Sequence, residues 1–339
     1  MSQRPTLQTV ARAAGVSTAT VSQVIRGSGR ISEETRKRVL RAVKQVNYVP
    51  DGRASAMRSG QFREIGLLIH EIANPFNAEV ISGVSDHLEN EGYLVSVLDS
   101  RDDPVRQRRH LETLIGSARG GLLWVPAQEG SEEVERLILA QRVPTVTFLR
   151  RPHSRAFDHV GIENREATRQ ATAHLADLGH RHIAFFGGDK DVESRLDRIE
   201  GCRAVLAERG LPPPVVWPCP DSKRAGLEHL GRLLQAHPRV TALVCNGDMV
   251  ALGALQALLR SGRQAGSDLS VIGFDDIQDA ALAMPPLTTM SVQPYQLGRR
   301  LARTLVERIR EPGLPPASVA VPATLVRRES CGPPKTQKG

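Results

Sequence analysis

The chain has 339 residues, is 40% hydrophobic and 24% charged, and sets 45 lysines and arginines against 37 aspartates and glutamates for a formal net charge of +8. That length exceeds one ordinary core, and that apolar content excludes a disordered polymer. Residues 1–60 carry 11 basic side chains and 3 acidic ones, leaving 34 of each beyond them. The whole excess therefore belongs to a small basic module, suited to a polyanion and joined to a neutral remainder with a different task. Cys202, Cys219, Cys245 and Cys331 lie far apart without a CxxC pair, so neither a zinc ribbon nor a disulfide framework is expected. The first thirty residues hold no long apolar run and no later stretch reaches the roughly 18 residues of a membrane helix, so an unexported, cytoplasmic protein is expected.

Three helical patterns fill residues 6–48, each opened by a hydroxyl residue that can cap a first turn: Thr6, Ser17 and Ser32. In the first, Leu7, Val10, Ala11 and Ala14 form one apolar face, and Gly15 supplies the turn. In the second, Val21, Val24 and Ile25 point one way while Thr18, Ala19, Ser22 and Gln23 occupy the other side, a face that is small, uncharged and polar. In the third, Glu33 and Glu34 suit the positive end of the helix dipole and Thr35, Val39, Ala42, Val43 and Val46 make the buried stripe. Residues 49–61 have a linker composition, with Arg53–Arg58 able to form a turn or two of helix that is marginal by itself.

From Glu64 onward short apolar runs alternate with helical patterns: Ile65–Ile69, Leu94–Leu98, Gly121–Val125, Thr145–Leu149, His182–Phe186, Ala242–Cys245 and Val271–Phe274. This is the grammar of βαβ units, and their number predicts an α/β chain of two doubly wound parallel-sheet lobes with a cleft between them. The Pro212–Pro214 run reads as a surface loop and the tail after Cys331 as frayed. His180 and His182 read as loop histidines without the partners of a zinc site, and Trp124 and Trp217 as packing residues. No phosphate-binding glycine loop, dinucleotide fingerprint or nucleophile elbow is present, so neither a cofactor, a metal nor an enzymatic role is expected.

Residues 6–27 carry the strongest signal: helix, glycine turn, second capped helix, the arrangement of a helix-turn-helix whose second helix enters a major groove. Small side chains permit close approach, and Gln23 can reach a base edge, with adenine N6 and N7 its best bidentate match. For the cleft, residues at the carboxyl ends of strands are the candidates. Asn74, Phe76, Ser194, Arg198, Asp248 and Asp275 combine an aromatic ring, an arginine fork and carboxylates, the groups a polyhydroxylated ligand needs. Asp248 and Asp275 serve equally well as caps of the helices that follow them.

At this point the chain resembles the LacI/GalR family of bacterial transcription regulators over nearly its whole length. The resemblance rests on VARAAGVSTATVSQVI, ISEETRKRVLRAV and NYVPDGRASAM in the first part, and on ANPF at 73–76, HLADLGHRHIAFFGG at 174–188, NGDMVALGAL at 246–255, VIGFDD at 271–276 and PPLTTM at 285–290. It implies a helix-turn-helix headpiece over 1–49, a hinge over 50–62, a periplasmic-binding-protein-like effector and dimerisation domain over 63–330, and a flexible tail over 331–339. It further implies a homodimer or tetramer on a near-palindromic operator, repressing carbohydrate or sugar-acid utilisation genes under control of a sugar or sugar acid. By position, Thr18, Ala19 and Gln23 would read bases, and Thr6, Ser17, Thr20, Ser22, Ser32 and Thr35 would lie near phosphates. Tyr48 and Ala54 would join them, and Met57 would take the minor-groove wedge position. The family usually has Leu at the wedge and Arg or His in place of Gln23. Leu149 stands where many relatives place an acid and Gly247 where many place Asn, which, with Arg150 and Arg151 adjacent, points toward a less hydroxylated or more anionic ligand. An exported solute-binding protein and a Rossmann-type enzyme are the alternatives; the basic module counts against the first and the lack of catalytic residues against the second.

Overall fold

The computed structural model describes residues 5–50, 62–117 and 120–335. The chain divides into two compact units, residues 1–62 and 63–339. The first holds α1 (Leu7–Ala14), α2 (Thr18–Arg26) and α3 (Glu33–Gln45). All three expected caps form: the Thr6 hydroxyl accepts from the Thr9 N–H at 3.3 Å, Ser17 from Thr20 at 3.1 Å, and Ser32 from Thr35 at 3.3 Å. Gly15 closes α1 at φ 62°, a left-handed turn that only glycine adopts without strain. Val10, Ala11, Ala14, Val21, Val24, Val39 and Ala42 make a core of small side chains, so the three helices pack closely.

The second unit alternates strands and helices. In chain order these are β1 (Glu64–Ile69), α4 (Pro75–Asn90), β2 (Leu94–Asp99), α5 (Pro104–Gly116), β3 (Gly121–Trp124), α6 (Ser131–Ala140), β4 (Thr145–Phe148), β5 (Asp158–Ile162) and α7 (Asn164–Asp177). There follow β6 (Ile183–Phe186), α8 (Glu193–Glu208), β7 (Val215–Trp217), α9 (Lys223–Ala236), β8 (Ala242–Cys245), α10 (Asp248–Arg260), β9 (Ser270–Asp275) and α11 (Gln278–Leu282). The chain continues through β10 (Thr288–Ser291), α12 (Pro294–Arg310), β11 (Ser318–Val321) and β12 (Thr324–Val326). They form two six-stranded sheets, β11-β5-β4-β3-β1-β2 and β12-β10-β9-β8-β6-β7, as expected for two doubly wound lobes. Among the described residues every strand pairing is parallel except that of β10 with β12. Because β11 returns to the first sheet and β12 then rejoins the second, the chain crosses between lobes three times, at residues 162–164, 291–294 and 321–324.

The sequence did not announce β5, β7, β10, β11 and β12, because they are short or carry polar residues at buried positions. Asp158 and His159 lie inside β5, and Thr288, Thr289 and Ser291 inside β10. Tertiary partners satisfy them: Asp158 is gripped by Arg308 of α12 at 2.7 and 3.0 Å and accepts from the Ala317 N–H at 2.8 Å. That buried pair fastens α12 and the start of β11 to the first lobe. Trp124 is the packing residue expected, fully buried, with its indole N–H donated to Gln107 at 2.9 Å.

The expected frayed tail is corrected in part. The Gly332 N–H donates to Ser270 at 3.0 Å, and His180 sits 2.8 Å from Thr241 and 2.9 Å from the Gly332 carbonyl oxygen. His180 thus lies in the loop before β6, as expected, but buried there as a strut, and residues up to Lys335 are docked by such contacts. On the other lobe, α4 and α12 cross at glycines: a Cβ on Gly83 would lie 2.0 Å from the Tyr295 carbonyl oxygen and one on Gly298 2.1 Å from that of Val80. Gly83→Ala should force the helices apart and cost about 1–3 kcal/mol of stability, read as a lowered midpoint in urea unfolding. An unchanged midpoint would mean that the helices separate freely.

Candidate functional site

In the first unit the outward face of α2 is formed as the periodicity predicts. Thr18, Ala19 and Gln23 are exposed and Ser22 is half-buried, while Val21 and Val24 turn inward. Gln23 folds back over the following turn, where Gly29, at φ 84°, leaves room: a Cβ there would stand 3.1 Å from the Gln23 amide carbon. Thr6, Ser17, Thr20, Ser32 and Thr35 gather at the starts of the three helices, and Ser17 with Thr20 and Ser32 with Thr35 share hydroxyl hydrogen bonds of 2.9 Å. Helix starts present free amides and positive dipole ends, the standard receptor for phosphate oxygens. Tyr48 is half-buried and packs against the three-helix core. Among the described residues of this unit no basic side chain is ion-paired, so Arg12, Arg26, Arg36, Lys37, Arg38, Arg41 and Lys44 keep their full field. Ala54 and Met57 lie outside the described residues.

In the second unit, loops from the carboxyl ends of strands in the two lobes meet. Lys190, after β6, donates to Asp102, after β2, at 2.8 Å, and Arg151, after β4, lies 3.3 Å from Glu193 at the start of α8. Arg198 forms the floor of this region. Its Nε donates to Asn164 at 2.8 Å, another of its nitrogens donates to the Asn246 carbonyl oxygen, and its guanidinium carbon lies 3.5 Å over the Phe274 ring. Burial pulls the Arg198 pKa down, and Asp275, Asp221 and Asp248 oppose that shift. Asp275 is held at φ 117° and Asp276 at φ 61°, left-handed conformations costly for side-chain-bearing residues and typical of functional sites. Burial raises the Asp221 carboxyl, which also accepts from the Asn246 amide. The Asn246 side-chain oxygen and His70 Nδ1 are buried with no hydrogen-bond partner. Burial, seconded by Arg150, lowers His70 to about 4, so the ring is neutral and can still exchange hydrogen bonds with a ligand.

The six residues expected in the cleft do not all converge. Arg198 and Asp275 do, and Ser194 is half-exposed on the first turn of α8. Asn74 caps α4, accepting from the Phe76 N–H at 3.0 Å, and Phe76 is packed in the core at 5% exposure rather than offered as a stacking face. Asp248 is corrected from ligand contact to structural acceptor: it is fully buried and accepts from the Ile277 N–H at 2.9 Å and the Thr289 hydroxyl at 2.6 Å. Arg150 is likewise committed, gripping both oxygens of Asp102. Although burial opposes it, the bonds and charges of Arg150 and Lys190 hold Asp102 below the usual carboxylate range. Asn164, Asp221, Asn246, His70 and Lys190 belong to the site but were not singled out from the sequence. Asn164 and Asp221 follow β5 and β7, strands the apolar pattern does not show, whereas Asn246 and His70 directly follow legible strands and the carboxyl-end rule would have found them.

Burial pushes Asp248 up to about 7 despite its hydrogen bonds. A carboxyl that holds its proton more tightly folded than unfolded stabilises the fold fully at acid pH, and that contribution is lost as pH rises through about 7. Asp248→Asn, which keeps an acceptor oxygen but cannot ionise, should therefore flatten the decline in stability between about pH 4 and 7, measured as urea midpoints across that range. A variant whose midpoints follow the native slope would place the titration elsewhere.

Residues 6–51 match the family described as bacterial regulatory proteins, lacI family, and residues 172–331 match the periplasmic binding protein-like domain. The chain is 31% identical over 332 residues to the maltose regulon regulatory protein MalI of Escherichia coli K12, covering 95% of this chain and 97% of that one. It is 32% identical to the HTH-type transcriptional repressor PurR of Haemophilus influenzae strain PittEE, over 90% of this chain and 91% of that one. Its fold matches the lac repressor dimer bound to operator and the anti-inducer ONPF with a TM-score of 0.86, 25% identity, and coverage of 97% of this chain and 99% of that chain. With a capped helix-turn-helix in one unit and two open parallel-sheet lobes in the other, this chain belongs to the lacI family of DNA-binding bacterial transcription regulators and is not an enzyme.

Proposed function

We propose that the protein is a repressor that binds a near-palindromic operator as a homodimer and takes a neutral carbohydrate between its lobes. The observation that carries the DNA reading is the exposed, uncharged face of α2 set among unpaired cations and three capped helix starts. The cations and helix starts hold phosphates, which fix register, while Thr18, Ala19 and Gln23 read base edges, which gives specificity. Ser22 lies beside them, with Tyr48 at the edge of the same core. For the homodimer, Leu282 and Met284, at 82% and 81% exposure, stand over Leu252 and Leu255 beside the Lys223–Asp279 pair, an apolar patch that a second copy would cover. The lac repressor it resembles is a dimer on operator.

For the ligand, chemistry favours a neutral sugar over a sugar acid. The uncommitted groups are mainly acceptors: the Asn246 oxygen, the Asp221 and Asp275 carboxyls and the neutral His70 ring. Arg150, a cation beside the cleft that would greet a carboxylate, already grips both oxygens of Asp102. Sugar hydroxyls can both donate to and accept from such groups, whereas a ligand carboxylate would add one more acceptor where acceptors already prevail. MalI, by its name, regulates a maltose regulon, which accords with a carbohydrate ligand here.

Two measurements test this. On an operator selected from random DNA, Gln23→Ala should lose about 1–3 kcal/mol per half-site while binding to random DNA is kept; equal weakening on both would remove Gln23 from base reading. In a thermal-shift panel, neutral mono- and disaccharides should raise the melting temperature and uronic acids should not, because only a bound ligand stabilises the folded state. Arg198→Lys should lose that shift and keep operator binding. Stabilisation by uronic acids alone would overturn the neutral-sugar reading.

A further inference from the structure

Two of the three crossovers frame a second cavity, separate from the cleft. It has a volume of about 400 Å³ and is lined by Ser291, Gln293 and Thr324 of the crossovers and by Arg299, Arg300 and Arg303 of α12, with no carboxylate in its wall. That volume lies within the range of small-molecule sites.

The arginines of α12 fall into two sets. Arg308 is held by Asp158 at 2.7 Å and Arg310 pairs with Glu91. Arg299 and Arg300, with Arg303 one turn further on, lie in the middle of the helix and form no ion pair or hydrogen bond among the described residues. Like charges three and four residues apart on a helix repel, and a bound anion would relieve that repulsion. The same field reaches His87, whose pKa is lowered by burial and then by Arg299, Arg303 and Arg310, with Glu91 opposing. Gln293, at the mouth, is held at φ 51°, a left-handed residue in the short link that joins β10 to α12.

We propose that this cavity binds a small phosphate-bearing anion, a second ligand distinct from the one in the cleft. Planar guanidinium forks match phosphate oxygens, and Ser291, Gln293 and Thr324 supply neutral donors around them. Since Ser291, Gln293 and Thr324 sit in the links between lobes, an occupied cavity braces the hinge about which the lobes would move.

Inorganic pyrophosphate is the probe, titrated calorimetrically into the full chain at constant ionic strength, with orthophosphate in a parallel arm. The native protein should bind one pyrophosphate per chain. Arg300→Gln/Arg303→Gln, which alters only exposed side chains, should weaken binding roughly tenfold or more. Arg36→Gln/Arg38→Gln, on α3 of the basic unit, should leave it unchanged. Amide exchange over 291–294 and 321–324 should slow in the native protein with pyrophosphate. Absence of binding, equal affinity in the Arg300/Arg303 variant, or loss only in the Arg36/Arg38 variant would overturn the site. Tighter orthophosphate than pyrophosphate binding would reduce the ligand to a single phosphate group. Binding without slowed exchange would overturn the bracing of the hinge.

Discussion

A guanidinium partly withdrawn from water sets the arrangement of the cleft. Arg198 cannot shed its charge, so its desolvation must be offset by partners around it. Those partners come from three places in the sequence: Asn164 at the first crossover, Asn246 at the end of β8, and Phe274 with Asp275 at the end of β9. Each is fixed by a strand or helix that ends there, so the parallel sheet and the buried cation depend on each other. The strained backbone at Asp275 is the local cost of holding a carboxyl near that cation.

Around Arg198 the polar groups divide into those already satisfied and those left open. Arg150 and Lys190 share Asp102 across the lobes, and Asp248 spends both oxygens on Ile277 and Thr289. What remains open among the described residues includes the Asn246 side-chain oxygen and His70 Nδ1. The same accounting separates the last turn of α12 from its middle: Arg308 and Arg310 have acidic partners, and among the described residues Arg299, Arg300 and Arg303 do not. In the small basic unit the pattern is simpler. Its core is built from alanines and valines, its acids are few, and its cations stay in solvent where a polyanion can meet them.

The three helices of the N-terminal unit were legible because local rules decide them. Caps at Thr6, Ser17 and Ser32, a left-handed Gly15 and a helical period place Thr18, Ala19 and Gln23 outward without any distant contact. The lobes were legible as a class, since long apolar strands such as Ile65–Ile69 and Val271–Phe274 must be buried on both faces of a parallel sheet. Individual cleft residues were harder. Asp248 follows a strand as a ligand-contact residue should, yet its side chain turns inward to cap the segment at Ile277, a choice set by Thr289 on a strand the pattern did not show.

The sequence by itself determined where charge accumulates, which helix face is left polar, and that two doubly wound lobes follow a three-helix unit, because these depend on composition and on the periods of helix and strand. Only the tertiary structure decided which lobe each late strand joins, that Asp158 in a polar strand is held by Arg308, that His180 docks the tail, and which carboxyls stay open beside Arg198. Buried polar groups are tolerated only when distant partners satisfy them, and those partners lie far away along the chain.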